Sequence, residues 1–336
     1  METPPPLVPP PVAPPPPPPD YVDRSTWLLI FGILEIILGG LCLLMVPFMF
    51  IGQMMAAKQA GTEFSFPMAA QSALTFLILA TGLIWLGIGS IKARRWARAL
   101  LLCFGWMGLC IGVVSLAVVI SSLGSIGDIM RQQGRTLPPG AVAVAKFFAV
   151  ATVVFIYVLI PGTLVLFYRG RNVKLTCEYL DPVERWTDRC PLPVIAMCIL
   201  QTYGAFAIVM TPWFGSAFPL FGYVVTGWPA KLLLFGFGAF SLFAARGFYR
   251  LQPRFWLLYT ALVTAMGIST IITFLRVDVL VFYRSAGMPE TQIQQIAANP
   301  VMQGHFMAWL MALSMGLYLG YLLYLRRYFS KPSALP

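Results

Sequence analysis

Eight apolar runs, each about 20 residues or longer, follow one another along the chain, and they restrict its fold more than anything else in it. They fall at 26–51, 72–92, 98–123, 141–168, 192–212, 228–247, 254–276 and 303–327. A helix of about 20 residues crosses the hydrocarbon core of a bilayer. Over the full 336 residues, 59% are hydrophobic and only 10% charged, where a soluble domain carries about 25% charge. No soluble fold of this size hides so much apolar surface, so the sequence predicts an all-α polytopic membrane protein with about eight transmembrane helices. The sixth run is the least regular. The stretch FGSAFPLFGYVVTG before it (214–227) is apolar but broken by Gly and Pro, and is expected to dip into the membrane or pack over it.

Charge orients the bundle. The net charge is +11, yet no basic patch with interleaved aromatics stands outside the apolar runs, so nucleic acid is not the expected partner. Sixteen of the 23 Lys and Arg residues lie on the side that holds the N-terminus, the C-terminus and the central loop. The positive-inside rule puts that side in the cytoplasm, giving an N-in/C-in protein. Trp27, Trp96, Trp213, Trp228 and Trp256 lie near run ends, as an interfacial aromatic belt requires. The short loops point to a bacterial cytoplasmic membrane.

Residues 1–20 hold twelve prolines, including Pro14 to Pro19. Such a segment forms neither helix nor ladder and reads as an extended polyproline II tail, a spacer or a docking strand for an aromatic groove. It lacks a basic n-region, and the following apolar run is too long for a signal peptide. The expected organisation is a Pro-rich tail (1–24), a four-helix membrane repeat (25–168), a charged connector (169–191), a second four-helix repeat (192–328) and a short tail (329–336). The repeats are expected to run parallel, because each contains an even number of spans. Their similarity rests on ILEIILGGLCLLMVPF from Ile33 against ILQTYGAFAIVMTPW from Ile199, on Gly87-Ile-Gly89 against Gly236-Phe-Gly238, and on FYRGR against YLRRYF.

Candidate functional residues are few. Glu35 sits inside the first run, where it is expected near the bilayer midplane. A charge there is costly, so the carboxyl must face protein or water, and burial favours its neutral acid form. The repeat matches it to Gln201, whose carbonyl oxygen is a candidate acceptor. Glu35 and Gln201 thus form a candidate intramembrane polar site, read either as interhelical glue or as a proton or cation site of a carrier. Pro161 and Gly162 interrupt the fourth run and are a candidate hinge. Gly108 and Gly112, and Gly316 and Gly320, have the spacing of close helix contacts.

The connector from Arg169 to Arg189 has five basic and four acidic residues and reads as solvated, with room for a protein partner or for anionic headgroups. Cys177 and Cys190 with its acidic residues are a weak metal set, given the absence of histidine in the loop, and no metal or other cofactor is expected. No Walker A, HExxH, dinucleotide-binding or nucleophile-elbow pattern occurs, and no catalytic residue is assigned. Residues 288–296 read as a brief amphipathic helix. The expected function is non-catalytic assembly or anchoring in the membrane, with lipids and a protein partner held by residues 1–20 or 169–191, and oligomers allowed. The alternative is a carrier for a small or lipid-like solute using Glu35.

Overall fold

The protein is described by a computed structural model at residues 21–59, 64, 66–123, 139–210, 216–288, 290–297 and 304–330. The Pro-rich tail 1–20 and the last six residues lie outside the described residues. The apolar runs become helices within three residues of their expected ends, except that the first runs eight residues further, to Gln59, and the second starts six residues earlier, at Phe66. They are α1 (Ser25–Gln59), α2 (Phe66–Ile91), α3 (Arg95–Ser122), then α4 (Pro139–Val154), a π turn (Phe155–Leu159) and α5 (Ile160–Tyr168) in continuous succession. The charged connector contains α6 (Arg171–Leu180). The second half holds α7 (Leu192–Met210), a hairpin of β1 (Ala217–Leu220) and β2 (Tyr223–Thr226), α8 (Gly227–Tyr249), α9 (Pro253–Arg276), α10 (Val279–Ser285), α11 (Glu290–Ala297) and α12 (Gly304–Phe329). Eight spans are long and apolar enough to cross a membrane, which makes this a multi-pass α-helical membrane protein.

The spans pair as antiparallel neighbours, and small residues set the closest approaches. α1 lies against α2 with Gly32 facing Gly87. A methyl on either would come within 2.7 Å (Gly32) or 2.6 Å (Gly87) of the other's carbonyl oxygen. α3 lies against α4 and α5 through Gly105, Gly108 and Gly112, as the spacing of the last two predicts. Gly316 and Gly320 differ: a methyl on either would meet open space, so they make no such contact among the described residues. α7 lies against α8, with Ala205 beside Gly238 and the Cys198 thiol donating to the Ala245 carbonyl. α9 lies against α12, where the Trp256 indole donates to the Leu322 carbonyl.

The turns after α2 and α8 are built alike. Ala93 (φ 47°) and Leu251 (φ 52°) both adopt the left-handed conformation. The N–H of Ala93 bonds to Ser90 O and that of Arg94 to Gly89 O, while Leu251 bonds to Phe248 O and Gln252 to Gly247 O. Both are Schellman closures, which cap the last carbonyls of a helix. Their geometry pairs Gly89 with Gly247, and not with Gly238 as the glycine doublets suggest. Gly238 instead occupies, against Ala205, the position that Ala80 occupies against Gly39.

The irregular apolar stretch before α8 is a β-hairpin over its described part. Phe221 (φ 44°) and Gly222 (φ 98°) form a two-residue turn with both central residues left-handed, the type whose twist suits a hairpin. It rests on α9. The N–H of Phe221 donates to Ser269 Oγ and that of Gly222 to Thr273 Oγ1, while Ser269 donates to the Pro219 carbonyl. The backbone groups a turn would otherwise strand are thereby satisfied. Beyond α9, α11 forms where the amphipathic pattern predicts, buries Ile293, and has its Glu290 paired to Arg284 at 2.7 Å.

Candidate functional site

Glu35 lies one turn beyond Gly32 on α1, on the face that meets α2, and only 2% of it is exposed. Gly32 faces Gly87 and Gly39 faces Ala80, so Glu35 stands level with the last turns of α2. Its side chain meets Tyr168, the final residue of α5, which immediately precedes the connector. A helical side chain leans toward its helix N-terminus, so Glu35 leans toward the connector side and Tyr168 leans inward to meet it. The hydrogen bond expected between Glu35 and Gln201 does not form.

What forms is a chain of three short contacts. Tyr168 Oη and Glu35 Oε1 are 2.9 Å apart, Ser90 Oγ and Tyr168 Oη are 2.6 Å apart, and Ser90 Oγ donates to the Leu28 carbonyl at 3.0 Å. Leu28, Ser90, Tyr168 and Glu35 are all essentially buried. A proton count then fixes the chemistry. The two hydroxyls supply two protons, and the backbone carbonyl supplies none. Three contacts therefore become three hydrogen bonds only if the carboxyl brings a third proton, donating to Tyr168, which donates to Ser90, which donates to Leu28 O. A carboxylate would leave one contact as two facing lone pairs in an apolar interior, which is costly. The arrangement suits a neutral glutamic acid that latches α1, α2 and α5 together. Its second oxygen, Oε2, is buried without a hydrogen-bond partner, an omission a neutral acid tolerates better than a carboxylate.

Gln201 is also 2% exposed, on α7, and neither its Oε1 nor its Nε2 has a hydrogen-bond partner. Its amide lies beside Tyr259, whose hydroxyl pairs with Tyr318 at 2.8 Å, and beside this pair Ser241 donates to the Phe237 carbonyl. At the turn where Ser90 meets Tyr168 in the first half, the second half stacks Phe248 edge-on against Phe329, centroids 5.1 Å apart.

Pro161 and Gly162 sit just after the π turn, and the turn follows from the proline. Pro161 has no N–H to give the Tyr157 carbonyl. The Ile160 N–H reaches back five residues to Phe155, which widens the helix by one residue. The Tyr157 carbonyl faces Gly112, where a methyl would come within 2.6 Å of it, and Pro161 seats its ring against Gly108. Pro161 is thus wedged against α3, while Gly162 borders open space.

The connector is folded onto the bundle on one side and exposed on the other. Val173, Thr176 and Cys177 of α6 are buried. Thr176 Oγ1 accepts from the Arg24 N–H and from the Tyr21 hydroxyl and donates to Asn172 O. Asp181, 1% exposed, is the clamp. It accepts two bonds from the Arg185 guanidinium (2.7 and 3.1 Å), one from Arg94 (3.2 Å) and one from the Arg95 N–H (3.3 Å). Burial pushes this carboxyl up, but the bonds from Arg185 and Arg95 and the charges of Arg185 and Arg94 outweigh it and hold it below the usual carboxylate range. Burial pushes the thiols of Cys177 and Cys190 up to about 12, so both stay protonated at neutral pH. Among the described residues no three His, Cys, Asp or Glu side chains converge as a metal site would require.

Tyr168, Ser90 and Asp181 escape the sequence reading. Tyr168 and Ser90 are polar residues at the end of an apolar run and Asp181 lies in the charged connector, places where solvent is the default expectation. Only their short spacing from a loop that folds back could have hinted at burial.

Comparison of the chain with protein-family models, curated proteins and solved structures finds no match. The eight apolar helices define a multi-pass α-helical membrane protein.

Proposed function

We propose that this is a non-catalytic assembly or anchoring protein of a bacterial cytoplasmic membrane, built as two parallel four-helix repeats with both termini and the connector in the cytoplasm. The matched Schellman turns and the matched pairings α1 with α2 and α7 with α8 support the repeat. The observation that carries the assembly reading is the connector's surface. Clamped by Asp181, it holds Tyr179, Leu180, Val183 and Trp186 between 41% and 60% exposed, beyond the apolar spans. Large apolar groups kept in water on a fixed support suit protein contact. The test is a membrane crosslinking pull-down with the full chain, with residues 1–20 removed, and with Val183→Asp and Trp186→Ser. A defined partner captured by the full chain and lost in the double variant supports docking through the connector. Loss only without the tail moves docking to residues 1–20, and no partner in any case overturns the reading.

The unpartnered Glu35 Oε2 favours a second reading, a carrier for a small or lipid-like solute with a proton or cation site at Glu35. Ligand-dependent thermal shifts at several pH values test it. The carrier reading requires a pH-dependent shift in the wild type that Glu35→Gln removes.

A further inference from the structure

Beneath the folded connector lies a cleft of about 250 Å³, bounded by the first turn of α3, by α6, and by the loop leading into α7. Its charged lining is uneven. Arg95, Arg98 and Lys174 face it with Glu178 and Asp188, and both carboxylates are already engaged. Glu178 pairs with Lys174 at 3.7 Å. Asp188 accepts the Arg185 N–H at 2.9 Å and stands 4.0 Å from Arg95. Arg98 has no ion pair among the described residues, and its Nε is buried without a hydrogen-bond partner, as is the Nε of Arg95. Thr187, 3% exposed, also lines the cleft, and its Oγ1 is buried without a hydrogen-bond partner.

Three observations thus converge on one small volume: three cationic side chains against two carboxylates, a buried hydroxyl with nothing to bond, and the N-terminal turn of a long helix, whose dipole favours an anion. A half-buried cation with no direct ion pair carries a standing cost, and a planar guanidinium has the donor fork that phosphate oxygens fit. We propose that this cleft binds a phosphate group, with Arg98 and Arg95 as the charged donors and Thr187 as a hydroxyl donor. The group comes either from a free phosphate ester or from the headgroup of an anionic phospholipid, since the cleft opens at the level where spans meet the connector. The site is independent of the assembly reading, because its residues are not the exposed apolar ones proposed to dock a partner.

The experiment uses the delipidated, purified full chain in detergent. One arm titrates inorganic phosphate against chloride at matched ionic strength, and the other titrates phosphatidic acid against phosphatidylcholine, with thermal stability and native mass spectrometry as readouts. The variants are Arg98→Gln and Thr187→Val, with Arg254→Gln at the start of α9 as control. Saturable stabilisation in either arm is expected, weakened about 10-fold or more by Arg98→Gln and several-fold by Thr187→Val, and unchanged in the control. Response to phosphate assigns a soluble ester, and response to phosphatidic acid alone assigns a lipid. If Arg98→Gln fails to fold, Thr187→Val carries the same comparison. Absence of a saturable response in both arms, or binding that both variants leave intact, overturns the proposal.

Discussion

The two halves close their helix ends differently. In the first, Glu35, Tyr168 and Ser90 join α1, α2 and α5 through a chain of polar contacts that links a carboxyl to a backbone carbonyl. In the second, the same kind of turn is closed by Phe248 against Phe329, and the polar residue matched to Glu35, Gln201, is left with both amide atoms unpaired. A polar latch specifies one arrangement of three helices, because any slip strands its groups. Aromatic stacking holds the ends together with less demand on register. The latched half is also the one whose α1 and α3 hold the folded connector, through Thr176 and Asp181.

Substitutions at the two matched positions should therefore diverge. Glu35→Ala removes the proton source of the latch and opens a cavity, and is expected to cost about 3 kcal/mol in detergent unfolding. Glu35→Gln, which keeps a donor, should cost under about 1 kcal/mol. Equal losses for the two would contradict the proton count. An infrared difference spectrum between wild type and Glu35→Gln should show the carbonyl stretch of a protonated acid at neutral pH, and its absence would mean a carboxylate.

Next in size, Asp181→Ala should cost about 2 kcal/mol, below the roughly 3–5 kcal/mol for a fully buried pair, because Arg94 and Arg185 keep 40% and 33% of their side chains exposed and can rehydrate. Since the folded Asp181 titrates below its unfolded value, its stabilisation is fully present above about pH 4 and is lost as pH falls through the lower folded value. Limited proteolysis of the connector should thus accelerate under acid in the wild type and not further in Asp181→Asn.

In the second half, Gln201→Leu should be neutral or stabilising by about 0.5 kcal/mol, because it replaces two unpaired polar atoms with apolar ones. A loss above about 1 kcal/mol would mean that the amide is bonded. The smallest effect expected is chemical. Cys177 and Cys190, buried and with thiols held near 12, should resist maleimide in the folded protein and react only after denaturation.

The span boundaries were readable because each span must bury about 20 residues' worth of backbone in its own hydrogen bonds, which forces a long apolar run. Leu28 and Glu35 could be placed on a helix from such a run, and Gly108 and Gly112 on a contact face. The partners of Glu35 could not. Tyr168 and Ser90 are 133 and 55 residues away from it in sequence, and which residues meet depends on how α1 and α2 slide along Gly32 and Gly87, a register that composition does not encode. The same holds for the connector: Asp181 reads as one more solvated charge until it is seen accepting from three arginines.

The sequence by itself thus determined that this chain has eight helices long and apolar enough to cross a membrane, and that the carboxyl of Glu35 must face protein or water. Tertiary structure alone decided what that carboxyl touches, because hydrogen bonds are short and directional, and helix pairing fixes them to within an ångström, while hydropathy is a sum over twenty residues and survives any register.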